Sequence, residues 1–322
     1  MATSKELYLF IENDDWEGVK GLLDRGLDAN APFSIDNEYL PCTPLQQASG
    51  LGALRVIEGL IDRGADLKYS KTYGTPLYCA VSFDRCEAAK LLLSRGADPN
   101  ARGPSQVEGD GKWTPLICAA FRKHVPMVNL LLSHGADPRI VSGRGIGVVT
   151  CAAYNQDIEL MESLLQTGAP APGNALLCAV ERENERLVRV LLGAGCDASY
   201  IAGKVELADA EAGETPLSLA IKRLSIAKAM TDLQKAMGRE QGKEACLRTI
   251  IAQLLRSGAD PSRLVHSRPP CLLQFWIVTS KLFDYSWPAV PMSPGKFILL
   301  LSSIKTTRAM KWDSMKRLCM RR

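Results

Sequence analysis

The sequence predicts an all-α solenoid of stacked helix–turn–helix units, and three observations carry that expectation. A body of fixed length recurs: from Thr43 to Gly64, Thr75 to Gly96, Thr114 to Gly135, Gly147 to Gly168 and Asn174 to Gly195 the interval is 21 residues each time. The clearest copy, TPLICAAFRKHVPMVNLLLSHGAD from Thr114 to Asp137, carries two short apolar stripes at helical spacing. The connectors between bodies, in contrast, run from 6 to 20 residues. Fixed bodies joined by elastic connectors describe a rigid packing unit with tolerant surface loops.

Each part of the body has a local reason. Thr114 offers a side-chain oxygen to the orphan N–H groups of a first helix, and Pro115 follows where a missing N–H does no harm. Leu116, Cys118 and Ala119 share one face, His124 and Val125 make the turn, and Pro126 opens a second helix striped by Met127, Val128, Leu130, Leu131 and Leu132. Gly135 stands where a left-handed cap ends that helix. One such pair cannot bury its own stripe, so it needs copies of itself on both sides.

The TPL openings at Thr43, Thr75, Thr114 and Thr215, the paired small residues such as Ala119 and Ala120, the LLL runs and the GAD endings at Gly64, Gly96 and Gly135 resemble ankyrin repeats. The likeness extends over residues 5–264. It implies a curved stack of helix pairs with hairpin fingers along one edge, and a protein whose work is binding other proteins without chemistry of its own.

In chain order, residues 1–36 are expected to form an amino-terminal capping repeat, with Phe10 where later repeats have Ala. Residues 37–264 hold about six further repeats, with bodies opening near 43, 75, 114, 147, 174 and 215. The connectors 31–42 and 101–113 are long, so their fingers should be extended. The repeat from Gly147 has lost TPL, and the connector from Gly168 to Asn174 is too short for a two-stranded finger. In the last repeat the interval from Thr215 to Gly258 doubles to 43 residues. Its insert, about 222–248, is rich in good helix formers and predicts a protruding helical hairpin. Residues 265–322 form a tail of two short apolar runs and a basic end, neither run reaching the roughly 18 residues that cross a membrane.

Net charge is +4, yet the tail from Val265 holds 10 Lys and Arg against 2 Asp and Glu, while the preceding residues hold 29 against 33. A slightly acidic repeat body argues against a nucleic-acid cradle on the stack. A tail that docks to membrane or nucleic acid, with the repeats presenting it, is the alternative to protein binding. The amino terminus carries neither a basic leader nor an unbroken apolar core, so an intracellular protein, cytoplasmic or nuclear, is expected.

No spacing of residues suggests a nucleophile, base and orienting group, and neither cofactor nor metal is expected. Cys79, Cys118, Cys151 and Cys178 recur four residues after the repeat opening. Helices stacked about 8–10 Å apart cannot bring their sulfurs onto one zinc ion or into a disulfide, so they read as small apolar filler. Of the 3 His, His124 sits in a turn and His134 at a helix end. Glu12, Asp14 and Asp15 read as a solvated turn, and GRGIG from Gly143 lacks the flanks of a phosphate loop.

The resemblance implies partner contact through the finger tips and the ends of the first helices. Those positions hold Phe83, Phe121, Arg122, Tyr154, Asn155 and Arg182, joined by Trp113 at a finger base. Aromatics and Arg dominate binding energy where they are buried at interfaces. The family's frequent His in the fourth body position is replaced by Gln46, Tyr78, Ile117, Thr150, Leu177 and Ser218, which should loosen the fingers that such a His ties down.

Overall fold

The computed structural model describes residues 2–34, 41–104, 112–203, 210, 212–236 and 243–261. The chain divides into two compact units, Met1–Arg268 and Pro269–Arg322, and every described residue lies in the first. The expected tail, 265–322, falls outside the described residues.

Among the described residues the helices come in seven successive pairs. They are α1 (Ala2–Glu12) with α2 (Trp16–Asp24), α3 (Pro44–Leu51) with α4 (Leu54–Asp62), and α5 (Pro76–Ser82) with α6 (Cys86–Ser94). Then follow α7 (Pro115–Phe121) with α8 (Val125–Ser133), α9 (Val148–Tyr154) with α10 (Ile158–Gln166), α11 (Gly173–Glu181) with α12 (Glu185–Gly193), and α13 (Pro216–Ala236) with α14 (Lys243–Arg256). First helices pack on first helices and second on second, in two parallel rows.

The row of first helices is the tighter one. Five residues after each opening stands an alanine with 0% exposure: Ala48, Ala80, Ala119, Ala152, Ala179 and Ala220. A methyl at the contact lets helix axes approach, which is why this row packs the more closely of the two. Four residues before each terminating glycine a leucine fills the space between rows: Leu22, Leu60, Leu92, Leu131, Leu164, Leu191 and Leu254 are all buried. Each such burial stabilises by about 1.5–3 kcal/mol relative to an exposed side chain.

Threonine caps start the first helices as expected. Thr43, Thr75, Thr114 and Thr215 each accept from the N–H three residues on, at 3.2, 3.2, 3.3 and 3.1 Å. The turn between the helices of a pair is left-handed, with φ of 81° at Gly52 but 52–61° at Asp14, Asp84, Lys123, Gln156 and Glu183, where an L side chain carries strain. His124, the N-cap of α8, brings Nδ1 to 3.3 Å from the Asp84 carboxylate. His134 ends the same helix with Nδ1 at 2.9 Å from the Leu130 carbonyl.

The fingers begin as paired strands. Residues β1 (Gly103–Pro104) and β2 (Lys112–Trp113) pair antiparallel, Phe33 bridges Cys42, and Ala202 and Gly213–Glu214 exchange backbone bonds of 2.7 and 2.8 Å. The extended portions of the long connectors lie outside the described residues. Between Gly168 and α11 there is no strand among the described residues. Here Asn174 is not the cap: Pro172 is, which starts α11 at Gly173 and draws Asn174 into the first turn, 2% exposed.

At two of the six positions the loss of the family's histidine does not free the finger, contrary to expectation. Gln46 accepts from Thr43 N at 2.8 Å through Oε1 and donates through Nε2 to the carbonyls of Lys71 and Gly74, at 3.1 and 2.6 Å, in the next finger. Tyr78 donates its hydroxyl to the Pro104 carbonyl. Its ring lies where a Cβ on Gly103 would come within 2.3 Å, so that strand position admits glycine alone. At these two positions a longer polar side chain ties the finger down through its backbone carbonyls.

The insert lengthens the last pair unequally. Helix α13 has 21 residues and α14 has 14, against 9 in α12. They pack on each other, and residues 237–242 between them lie outside the described residues.

Candidate protein-binding face

The ends of the first helices bring four of the expected residues into one column. Trp113 and Phe121 meet edge to face, with ring centroids 5.0 Å apart at 68°. Phe121 stacks on Tyr154 of the next unit at 5.8 Å and 18°, and the Arg182 guanidinium of the unit after that lies 4.5 Å above the Tyr154 ring. The column thus crosses three successive units. Aromatic pairs in these geometries add about 0.5–1.5 kcal/mol beyond their buried area, and an exposed cation over a ring about 0.5–1 kcal/mol.

Two of the expected contact residues have other work. Trp113 is 0% exposed: the β1–β2 pairing turns it inward beneath Phe121, so it supports the face without presenting itself. Asn155 donates through Nδ2 to the carbonyls of Ala120 and Phe121, both at 2.9 Å. It therefore closes the carboxyl end of α7 from the neighbouring unit. Phe121 and Tyr154 are half-buried, while Arg122 and Arg182 are exposed.

Phe83 lies on the same edge and is 63% exposed. Its ring edge sits 3.3 Å from where a Cβ on Gly50 would stand, so the ring rests against the bare backbone of the preceding unit. Arg85 crosses the same seam, donating Nε to the Gly50 carbonyl at 3.1 Å.

Several residues that position this face escape a reading of the sequence. Asp14 and Asp15 are caps rather than a merely solvated turn: Asp15 accepts from Gly18 N at 3.1 Å in its own helix, and Asp14 accepts from Val56 N at 3.0 Å in the next unit. Helix α4 has no side-chain cap of its own at Ala53, so the preceding turn supplies one. Asn30 and Asn100 accept from the N–H of Asp66 and Asp137, at 2.7 and 2.8 Å, tying each finger base to the next terminating loop. The GADPN run at Gly96 and the related GLDAN at Gly26 hold a signal for this pair, since Asn stands four residues after the glycine in both.

The cysteine row is packing. Cys118, Cys151 and Cys178 are 0% exposed and Cys79 is 5% exposed. Burial pushes the thiols of Cys79 and Cys178 up to about 12, so they stay protonated at neutral pH and are poor nucleophiles. Among the described residues no three His, Cys, Asp or Glu side chains are grouped to hold a metal ion. No helix among them is long and apolar enough to cross a membrane.

Seven helix pairs in two rows, left-handed turns and finger hairpins define a helical repeat solenoid. Comparison with known proteins identifies which one: residues 7–103 match the family described as ankyrin repeats in three copies, and residues 77–132 match that described as ankyrin repeats in many copies. Over residues 7–132, then, the chain carries ankyrin repeats. A segment of 84 residues is 36% identical to zygote-specific protein 3 of Chlamydomonas reinhardtii, covering 26% of this chain and 21% of that protein. A segment of 87 residues is 36% identical to the ankyrin repeat, SAM and basic leucine zipper domain-containing protein 1 of Oryctolagus cuniculus and of Mus musculus, covering 26% of this chain and 17% of each relative. The matched segment thus spans about a fifth of these relatives' own length.

Proposed function

We propose that this chain is a scaffold that binds a partner protein through the inner face of its repeat stack, with contact centred on Phe83, Phe121, Arg122, Tyr154 and Arg182. Ankyrin repeats are in general protein–protein interaction modules; the particular face is our assignment. The observation that carries it is the column from Trp113 to Arg182, in which rings of two units and the guanidinium of a third are fixed by one another and by the core before any partner arrives. Side chains already immobilised lose less entropy on association, which is what makes an aromatic or Arg contact strong. Trp113 and Asn155 hold the column from beneath.

The test is capture of partners from extract by the full chain and by a Phe83→Ser, Tyr154→Ala double variant. Retained proteins should fall by about tenfold or more, as expected when interface anchors are truncated, while far-ultraviolet circular dichroism stays unchanged. Equal capture by both chains removes the assignment of this face.

A further inference from the structure

We infer that the inner face takes an acidic segment of its partner, and that the guanidinium of Arg182 receives a carboxylate from it. This rests on the face proposed above and adds the chemistry of what it holds. Arg182 lies over Tyr154, its guanidinium carbon 4.5 Å from the ring centroid. A guanidinium carries its N–H donors in its own plane, and they match the two oxygens of a carboxylate. Tyr154 is in turn fixed on Phe121, and Phe121 on the buried Trp113. The fork is therefore positioned from the core outward.

The surrounding charges leave that fork for an incoming anion. Among the described residues no carboxylate lies within ion-pair distance of Arg182. The adjacent acid, Glu181, is 10% exposed and turned to Arg223, whose Nη2 is 3.3 Å away. Glu183, on the other side, follows in the left-handed turn. At the position of Arg182 in the earlier unit that opens at Thr114 stands Arg122, which is exposed, and Lys123 follows it, also exposed. Lys222, near the same edge, is committed to Glu214 at 3.0 Å. With Glu181 paired, the exposed charges at the ends of these first helices are Arg122, Lys123 and Arg182, all positive and set among aromatic rings, while Asp157 and Glu159 belong to the start of the second helix α10. An extended acidic peptide with an apolar residue between its carboxylates complements both features.

The probe is a panel of immobilised peptides, each about a dozen residues long, with Glu on either side of a Leu-Phe core at varied spacing, and the same peptides with Gln for every Glu. The full chain should be retained by Glu peptides at least about tenfold better than by their Gln counterparts, consistent with a charge-assisted fork. Retention should weaken as salt rises. Arg182→Gln should abolish the preference at the expense of no more than the small fall in melting temperature that the lost ring contact entails, and Arg182→Lys should restore only part of the preference because the ammonium does not fork. Equal retention of Glu and Gln peptides, retention of neither, or a preference untouched by Arg182→Gln overturns the inference. Neutral peptides whose retention is lost in Phe83→Ser would overturn the acidic partner alone and leave the inner face standing, whereas binding indifferent to both substitutions would remove both.

Discussion

The units opening at Thr43, Thr75 and Thr114 and the units opening at Gly147 and Pro172 reach the same helix pair by different means. In the first group the cap is local: a threonine hydroxyl accepts from the backbone three residues on. In the second, no side chain caps the first helix at Gly147 or Pro172. The chain compensates across the seam. Thr150 donates its hydroxyl to Asn174 Oδ1 at 2.8 Å, and Asn174 Nδ2 donates to the Gly145 carbonyl at 2.8 Å. A helix start can be secured from within or from next door, and the second way makes two units depend on one buried polar pair.

That dependence can be broken or sharpened by three measurements, taken from the largest effect down. Alkali should strike both groups at once, because Cys79 belongs to the first and Cys178 to the second. Both thiols are raised from 9.0 to about 12 by burial. Stability from them is complete below pH 9 and is lost as pH climbs toward 12, because the unfolded chain releases its protons first. By pH 10 each weakens the fold by about 1.4 kcal/mol, so the two together match or outweigh any single substitution below. A single alkaline transition by both fluorescence and circular dichroism is expected, and two separated steps would show that the groups melt apart.

Asn174→Ala comes next, with a loss of about 2–3 kcal/mol, since it strands a buried hydroxyl and a carbonyl together. Thr43→Ala removes only a cap and should cost about 1 kcal/mol. Urea unfolding of the two variants decides the comparison, and a larger loss at Thr43 would reverse it. The smallest effect is a gain: Lys123→Gly relieves the turn with φ 61° and should stabilise by about 0.5 kcal/mol, the relief being partly offset by the freer unfolded glycine. A lower melting temperature for Lys123→Gly would mean that this turn carries little strain.

How much of this was readable depends on where each interaction closes. Whatever closes within one body repeats at constant spacing, so Thr114 as a cap, Gly135 as a left-handed end and Cys118 as filler are all legible from residues alone. Gln46, Asp14, Asn155 and Asn174 act across seams, on partners 28, 42, 35 and 29 residues away. Connector lengths differ from seam to seam, so no single spacing marks such bonds. The binding face was legible as residue types at the ends of first helices. Sequence could not tell that Trp113 turns inward, because only the pairing of Lys112–Trp113 with Gly103–Pro104 decides which side of the finger base it occupies.

The bond from Asp14 to Val56 gives the array a polarity. Removing the first pair would shorten the chain by one unit and also leave α4 to fray at its start, whereas removing the last pair takes a different kind of bond from what precedes it, that of the Cys246 thiol to the Glu183 carbonyl. A cut between Asn30 and Ala31, which looks like a clean joint, therefore severs a helix from its lid. The segment that could be copied or transplanted whole runs from one inter-helix turn to the next, half a unit out of step with the pairs that the eye picks out.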